Sequence, residues 1–514
     1  MFDVTTIAQW EGPAVGIIRV ERELARHARR YLGKDVGFCL YDRLRGVILQ
    51  IDHGVADELV AGRIRIDFSN KVAPPLENPM RRQIRLALLR NATVYRLFQR
   101  LRGRAFTREQ ILQIRAGAQV KFMRQEVRRQ IRLALLRNAT VYHLFQRLRG
   151  RVFTREQILQ FRAQAQVKFM RLKDLPCRPA ALDPQTIIIS AGLDWNYKDV
   201  RVLWFLKQIH QFCYCPVIYD LIPILAPHFV VPDYVDLLTD YFGELVWVAD
   251  HAMCISQATK REWLEHAYRI GAEPVPSSVF PLGCDLPIRA KKPMASLPPA
   301  LWGKQFAIYV STIDARKNHR MLYEAWEECL RTKLLDPNHH RLVLVGRRGW
   351  GIGDLLREIE TNPLTKETIV LLHEMRDEQL TALYRASSFV LFPSLYEGFG
   401  LPLAEALGYG KLCVSSDTGA LSEIGSNLVM RLDPKDTLLW SRTIGRLFSS
   451  PDEVKSWEER IRKDYRATTW DDAARIFFSN IISAERDRRR PRPFVTNGCA
   501  DTLAGSASAA YADR

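Results

Sequence analysis

The chain has 514 residues, of which 47% are hydrophobic and 26% are charged. This length and composition exclude a single small module, a disordered chain and a fibrous protein, and they predict about three domains or two large ones with an insertion. Lys and Arg number 75 against 57 Asp and Glu, which gives a net charge of +18. The excess is local, because residues 81–174 contain 24 basic and four acidic residues and the remainder is close to neutral.

The amino-terminal region lacks the features of an export signal. Asp3 stands where a secretory signal has a basic stretch, and no apolar run follows. The longest apolar runs, such as 213–226, contain prolines and an acidic residue and are shorter than the roughly 20 residues that a membrane span needs. The nine cysteines lack the paired spacing of a zinc site. We therefore expect a cytoplasmic protein with reduced thiols.

A tandem repeat accounts for the basic region. Residues 81–127 recur as 128–174 with 40 of 47 positions identical. In each copy two helical stretches flank an Arg-Gly-Arg break, and the second stretch opens with the capping box Thr-Arg-Glu-Gln. Two copies are fewer than a solenoid needs. The pattern predicts a duplicated helical hairpin inserted at 81–174 into a larger domain.

Outside the repeat, short β-branched runs alternate with amphipathic stretches, which predicts an α/β protein with parallel sheets covered on both faces. A proline-rich linker at 287–299 separates two such halves. The expected domains are 1–290, which contains the insertion, and 300–485, followed by a disordered tail at 490–514. The predicted strands are Thr186–Ser190, Val217–Tyr219, Ala252–Ile255, Val279–Pro281, Phe306–Ser311, Arg341–Val345, Thr368–Leu372, Ser388–Phe392 and Leu412–Val414.

The segment 387–406 has the strongest chemical signal. A buried strand ends at Pro393, a glycine-bracketed turn follows, and Pro402 begins a helix. Free backbone N–H groups and the positive end of the helix dipole would then face the crevice beyond the strand, where a diphosphate fits. Glu405, expected in the first helical turn, would accept hydrogen bonds from a ribose diol. The alternative is that Glu397 and Glu405 only cap the helix.

Glu397 and Glu405, which enclose Gly-Phe-Gly-Leu-Pro, resemble the signature of retaining, nucleotide-sugar-dependent glycosyltransferases of family 4. The resemblance covers about residues 10–35 and 186–480. It implies the GT-B architecture, in which two Rossmann-like domains face each other across a cleft, with the nucleotide on the carboxy-terminal domain and the acceptor mainly on the amino-terminal one. Further matching motifs are 12–19, 217–223, 280–285, 309–319, 343–350 and 377–384.

The resemblance also implies roles for individual residues. Glu397 and Asp220 are the expected catalytic residues, and Arg316 and Lys317 would supply cations to the donor diphosphate as negative charge grows on it. Many relatives have an Arg five residues before this lysine, where the present chain has Thr312, so Arg316 would compensate. The implied donor-binding residues are Gly16, Arg316, Lys317, Gly346, Gly398, Phe399, Gly400, Leu401 and Glu405.

One strand-end motif departs from the family pattern. Many relatives have His-Asp where this chain has Tyr219-Asp220. Activation of the acceptor is therefore expected from Asp220, with Tyr219 lining the sugar site. In the same domain, Gly16 would bring a backbone amide close to the donor phosphate and the acceptor, because glycine permits such an approach.

Retention of anomeric configuration follows from the resemblance and leaves two routes open. Glu397 would act as the nucleophile of a double displacement, or it would orient the sugar while the acceptor attacks on the leaving-group face with the departing phosphate as base. The chain contains no Asp-x-Asp, the metal-diphosphate clamp of the other large glycosyltransferase fold. We expect side-chain cations to suffice, with no metal ion and no cofactor.

The motifs resemble most those of bacterial exopolysaccharide and O-antigen mannosyltransferases. The expected donor is therefore GDP-mannose, and the expected acceptor is a saccharide linked to polyprenyl diphosphate. A UDP-sugar donor stays open, because residues 346–350 and 374–376, which would contact the base, are not diagnostic. The sequence also leaves open the linkage position and the oligomeric state.

Each copy of the repeat has the pattern of a basic amphipathic helix, with aliphatic and aromatic residues among arginines. Such helices bind anionic lipid headgroups, gaining about 1 kcal/mol per basic residue, which would place the protein on the inner face of the cytoplasmic membrane. Two alternatives stay open: the apolar stripe packs on its twin copy, or the chain is a non-catalytic relative that binds a membrane or a partner. Nucleic acid is not an expected partner, because no base-reading motif is present.

Overall fold

The computed structural model describes residues 1–12, 16–34, 36–68, 168–284, 297–373 and 375–489. These residues form two α/β domains, each built on a largely parallel sheet. The predicted fold class is therefore confirmed. Residues 81–167 of the predicted basic insertion and the predicted tail at 490–514 lie outside the described residues.

The amino-terminal domain contains ten of the described strands. They are β1 (Phe2–Asp3), β2 (Phe38–Asp42), β3 (Val47–Ile51), β4 (Ile64–Asp67), β5 (Lys168–Arg171), β6 (Cys177–Pro179), β7 (Ile187–Ser190), β8 (Cys213–Ile218), β9 (Ala252–Cys254) and β10 (Ser277–Val279). Eight of them form one sheet in the order β10-β9-β8-β7-β1-β2-β3-β6, and β4 pairs with β5. Only the pairs β2 with β3 and β3 with β6 are antiparallel among these described neighbours.

Helices cover both faces of this sheet. They are α1 (Thr5–Gln9), α2 (Ile17–Leu32), α3 (His53–Val60), α4 (Asp194–Tyr197), α5 (Val200–His210), α6 (Ile222–Leu225), α7 (Pro232–Leu245) and α8 (Gln257–Arg269). Leu24 of α2 lies in the apolar cluster on one face, and Phe242 of α7 lies in the cluster on the other. Because both faces are covered, the central strands are runs of buried residues rather than alternating ones.

The carboxy-terminal domain repeats this plan with an all-parallel sheet. Its strands are β11 (Gln305–Val310), β12 (His340–Val345), β13 (Ile369–Leu372), β14 (Phe389–Phe392), β15 (Cys413–Ser416) and β16 (Met430–Leu432), in the order β13-β12-β11-β14-β15-β16. Its helices are α9 (His319–Arg331), α10 (Gly353–Thr361), α11 (Asp377–Ala386), α12 (Leu401–Gly408), α13 (Thr437–Ser449) and α14 (Pro451–Asp464). The strand order reverses between β11 and β14, which is where doubly wound sheets open a ligand crevice.

The last helix, α15 (Trp470–Arg489), returns to the amino-terminal domain. Trp470 and Phe478 lie in the same buried cluster as Leu24 of α2. A Cβ added to Gly283 would lie 2.5 Å from the Trp470 ring, so the two chain segments that cross between the domains pack tightly. They are also joined by a hydrogen bond of 2.8 Å from the Cys284 N–H to the Thr468 carbonyl.

The structure corrects several expectations from the sequence. The predicted carboxy-terminal domain at 300–485 includes most of α15, which packs on the other domain. The last seven residues of the predicted helical insertion, 168–174, form β5 and a 3₁₀ turn instead of a helix. Strand β10 lies two residues before its predicted position. The short strands β1 to β4, β6 and β16 were not predicted, because two to five residues give too little periodicity.

Among the helices of the described ranges, none combines the length and the apolar content that crossing a membrane requires.

A buried ionic cluster joins the carboxyl ends of β1 and β7. Lys198 is buried, and its ammonium lies 2.8 Å from Asp3 Oδ2 and 2.7 Å from Asp194 Oδ1. It also donates to the Ser190 hydroxyl. Burial alone would lower the pKa of Lys198, but Asp194 and Asp3 outweigh burial and raise it. The cluster thus fixes the edge of the sheet that faces the other domain.

Replacing this lysine tests the cluster. Lys198→Met leaves two buried carboxylates without their cation, and we expect the free energy of unfolding to fall by about 3–5 kcal/mol. Urea unfolding followed by circular dichroism measures the change, with Lys455→Met on the exposed surface of α14 as the control. An unchanged unfolding midpoint for Lys198→Met would contradict the proposed charge balance.

Candidate active site

Arg316 and Lys317 lie in a 3₁₀ turn, Ala315–Lys317, between β11 and α9. The Asp314 side chain caps this turn by accepting the Lys317 N–H at 3.1 Å. Asn318 holds the turn against the rest of the domain, because its amide donates to the carbonyls of Pro393 at 3.1 Å and Pro434 at 2.8 Å. The two cations are therefore fixed beside the end of β14.

His319, the first residue of α9, does not add a third cation. Its ring stacks on Tyr309 with centroids 4.8 Å apart. Burial lowers the pKa of His319 to about 3, although a hydrogen bond to the Asp314 backbone opposes the shift. The imidazole is therefore neutral at physiological pH, and the positive charge of this turn is that of Arg316 and Lys317.

Glu397 lies on the loop between β14 and α12 and is 7% exposed. Its Oε2 accepts from Arg316 Nη1 at 3.0 Å, and its Oε1 accepts from Lys317 Nζ. Burial raises the pKa of Glu397, but Lys317 and Arg316 outweigh burial and hold it below its ordinary value. Glu397 is thus a carboxylate whose two oxygens are both bound by cations.

Asp220 meets this loop from the amino-terminal domain, at the end of β8. A Cβ added to Gly398 would lie 2.3 Å from the Tyr219 carbonyl oxygen and 3.0 Å from Asp220 Cβ. Glycine is therefore required at position 398 for the two domains to approach this closely. Burial raises the pKa of Asp220, although Arg316 opposes the shift. The structure thus brings Asp220, Arg316, Lys317 and Glu397 into one charged group.

Tyr219 does not line this group. The side chain is buried, and its hydroxyl donates to the Ala191 carbonyl at 2.5 Å. The structure places the aromatic ring of Tyr219 in the amino-terminal core, and the expectation that Tyr219 lines the sugar site stays a prediction.

Glu405 lies in the second turn of α12, not in the first turn as predicted, because the helix begins at Leu401. Its Oε1 is 3.5 Å from Arg19 Nη1 on α2 of the other domain. Burial raises the pKa of Glu405, although Arg19 opposes the shift. Arg19 in turn lies over the Trp470 ring at 5.7 Å. Glu405 is therefore linked to the amino-terminal domain through a single cation.

The remaining donor-binding residues predicted on this loop lie at the contact between the domains. Gly400 has φ +118°, which favours glycine, and it is the N-cap of α12. Phe399 packs against the apolar clusters of both domains, and Leu401 packs against that of the amino-terminal domain. The loop is thus shared between the two cores.

Gly16 and Gly346 lie on two other loops. Gly16 is the N-cap of α2, with φ +54°, three residues before Arg19. Gly346 follows β12, and a Cβ there would lie 1.8 Å from the Ser311 carbonyl oxygen. The Gly346 carbonyl accepts a hydrogen bond of 2.5 Å from His373. The assignment of donor contacts to these two glycines stays a prediction.

Several residues of this site were not predicted from the sequence. The Tyr396 hydroxyl donates to Glu262 of α8, and the Tyr396 carbonyl accepts from Arg316 at 2.6 Å. Thr259 Oγ1 lies 3.3 Å from the Tyr219 carbonyl and 3.4 Å from the Gly398 carbonyl. These contacts join distant parts of the chain, so only the position of Tyr396 next to Glu397 could have indicated them.

Within the described residues, no three His, Cys, Asp or Glu side chains converge as a metal site. The arrangement that is present is two cations and a helix N-terminus beside a buried carboxylate, with a second carboxylate opposite. Such an arrangement can bind a diphosphate and stabilise the negative charge that develops on it during bond cleavage.

Residues 300–464 match the protein-family model described as glycosyl transferases group 1. This range contains Arg316, Lys317, Glu397 and Glu405. The carboxy-terminal domain is therefore a glycosyl transferases group 1 domain, and the resemblance to glycosyltransferases that the motifs indicated is confirmed.

Named relatives share part of the chain. A segment of 204 residues, 37% of this chain and 24% of the relative, is 28% identical to serotype-specific mannosyltransferase WbdA of Escherichia coli. A segment of 132 residues, 26% of this chain and 33% of the relative, is 35% identical to O-antigen chain mannosyltransferase B of Escherichia coli. The chain thus matches a third or less of the length of these two relatives.

Among solved structures, sucrose-phosphate synthase from Thermosynechococcus elongatus is similar over 59% of this chain and 74% of that chain, with 19% identity and a TM-score of 0.44.

The charge balance of the site gives a pH-dependent prediction. Glu397→Gln leaves Arg316 and Lys317 without their carboxylate, and we expect unfolding to become easier by about 3 kcal/mol at pH 7. Because the folded-state pKa of Glu397 is lowered, its contribution is complete above the unfolded value of about 4.3 and is lost as the pH falls through the folded value.

Urea unfolding of wild type and Glu397→Gln at pH 7, 5 and 4 measures this contribution. The difference between the two proteins should be constant from pH 7 to 5 and should shrink below about 4.3. A difference that instead grew on acidification would show that Glu397 is neutral in the folded protein.

Proposed function

We propose that this chain is a retaining glycosyltransferase that transfers a hexose from a nucleotide sugar. The observation that carries the proposal is the binding of Glu397 by Arg316 and Lys317 at the mouth of the carboxy-terminal sheet, opposite Asp220. The two cations would bind the donor diphosphate and stabilise it as it leaves. Glu405, in the second turn of α12, would accept hydrogen bonds from the ribose.

The state of the two carboxylates supports different roles for them. Both oxygens of Glu397 accept from cations and its pKa is lowered, which makes it a weak nucleophile. This supports a role for Glu397 in orienting the donor sugar rather than in attacking it as the nucleophile of a double displacement. Asp220, whose pKa is raised by burial, is the better placed of the two to accept a proton from the acceptor hydroxyl.

For the substrates, we propose mannose from GDP-mannose as donor and a saccharide linked to polyprenyl diphosphate as acceptor. The support comes from the motifs and from the names of the relatives, two of which are mannosyltransferases of Escherichia coli, one of them for O-antigen chains. The product would belong to a cell-surface polysaccharide. No metal ion is part of the proposal, because two side-chain cations already face the expected diphosphate position.

A thermal-shift experiment tests the donor site directly. The purified protein is heated with GDP-mannose, GDP, UDP-glucose, UDP-galactose and UDP, with and without EDTA. A ligand at 100 times its Kd adds about 2.7 kcal/mol of stability, so GDP-mannose and GDP should raise the Tm, with EDTA making no difference. Glu405→Ala and Lys317→Met should each abolish the shift.

The matched control is Lys455→Met, which should retain the full shift. Stabilisation by uridine nucleotides alone would replace GDP-mannose with a UDP-sugar in the proposal. No shift with any nucleotide would favour the non-catalytic alternative. Release of GDP from GDP-mannose on addition of a polyprenyl-diphosphate-linked saccharide then tests transfer itself.

We also propose that the basic repeat holds the protein on anionic lipid at the inner face of the cytoplasmic membrane. The support is its sequence: residues 81–127 alone carry a net charge of +10, and the second copy is nearly identical. A lipid-linked acceptor would then be presented to a membrane-bound enzyme.

Deleting residues 81–127 should weaken binding to vesicles of phosphatidylglycerol, while neutral phosphatidylcholine vesicles bind neither protein. Salt should weaken the binding of both proteins to these vesicles, because the Debye length falls to about 3 Å at 1 M salt. Vesicle co-sedimentation measures the change. Binding that depended neither on salt nor on the number of repeats would contradict the lipid proposal.

A further inference from the structure

A carboxylate of the carboxy-terminal domain caps a helix of the amino-terminal domain. Glu423, in the 3₁₀ turn Gly419–Glu423 after β15, accepts the Gln257 N–H on Oε2 at 2.8 Å and the Ala258 N–H on Oε1 at 2.7 Å. The next N–H of α8, that of Thr259, donates to the hydroxyl of the N-cap residue Ser256 at 3.0 Å. The amino terminus of α8 is thus completed by a residue of the other domain.

Two more contacts between the domains lie on the first two turns of the same helix. Thr259 Oγ1 lies within hydrogen-bond distance of the Gly398 carbonyl, and Glu262 accepts from the Tyr396 hydroxyl. Tyr396 and Gly398 flank Glu397. The helix that Glu423 caps is therefore also the surface on which the loop carrying Glu397 rests.

We propose that Glu423 is a positioning residue that holds the cleft closed. It does so by binding the amino terminus of α8, and it thereby sets the distance between Glu397 and Asp220. The proposal rests on the proposed transfer reaction for its consequence in catalysis, but the contact itself does not depend on that reaction. Glu423 contacts neither Glu397 nor Asp220, so it acts on the distance between them through the position of α8.

The chemistry of the contact suits a reversible latch. A carboxylate at a helix amino terminus satisfies two N–H groups that otherwise have no partner in the helix and lies at the positive end of the helix dipole. Glu423 is exposed at the edge of the cleft, so water can replace it when the domains separate. The cost of opening is then small enough for substrates to enter and products to leave.

Hydrogen exchange measured by mass spectrometry on Glu423→Ala tests the latch without any substrate. We expect faster exchange at 257–258, which lose their acceptor, and also at 396–400, which lie against α8 in the closed state. Glu423→Gln, which keeps one acceptor oxygen, should have an intermediate effect. The control is Glu459→Ala, an exposed carboxylate on α14, which should exchange like wild type.

Faster exchange confined to 257–258 would show that Glu423 only caps α8, and unchanged exchange would show that it does not bind α8 in solution; either result overturns the proposal. Faster exchange in all segments together with a lower Tm would indicate a general loss of stability. The Glu423→Gln variant separates that case, because it should have the wild-type Tm and still exchange faster at 257–258 and 396–400.

Nucleotide binding and turnover of Glu423→Ala provide a second test. In Glu423→Ala the Tm shift by the donor nucleotide should be unchanged, because Arg316, Lys317 and Glu405 all lie on one domain. Turnover should fall by about five- to tenfold, because losing a helix cap costs the closed state about 1 kcal/mol. A weaker nucleotide shift with unchanged turnover would contradict a positioning role. If wild type transfers no sugar, the proposed function fails, and the exchange experiment still decides the latch.

Discussion

The pairing of Glu397 with Arg316 and Lys317 is the interaction on which the rest of this site depends. A buried carboxylate is stable as an anion only when its charge is balanced, and here the balance comes from a turn that is itself fixed by Asp314 and Asn318. The same two cations are the groups that a diphosphate would bind. Glu397 therefore holds the two cations in place, and the loop that carries Glu397 is ordered by the same contacts.

The amino-terminal domain contacts the Glu397 loop by a close approach of main chains rather than by a large side-chain interface. Gly398 allows the loop to lie directly on the Tyr219 carbonyl, which brings Asp220 beside the charged group. Polar contacts to α8 and the cation Arg19 surround that point. Each is individually weak in water, which is compatible with a cleft that opens.

Local patterns in the sequence predicted the elements that carry the candidate site in the carboxy-terminal domain. The Glu397 loop, the Arg316-Lys317 turn and the long buried strands β11, β12 and β14 all have short-range signals, namely glycines, prolines and apolar runs. What could not be predicted depends on contacts between distant residues. Glu423 is an ordinary exposed glutamate until α8 is placed beside it, and Tyr219 is an aromatic at a strand end whose direction is set by the core. Strand β5 lies at the end of a repeat whose composition indicates helix, and its pairing with β4 decides otherwise.

The return of α15 to the amino-terminal domain means that the chain crosses between the domains twice, at Cys284 and at Thr468, and that the two crossings are hydrogen-bonded side by side. A single crossing would leave the domains free to swivel about a point. Two adjacent crossings, packed through Gly283 and Trp470, tie the domains together at one place, so the domains can separate only by turning about that place. Residues of the cleft that lie farther from the two crossings are therefore displaced farther when the domains separate.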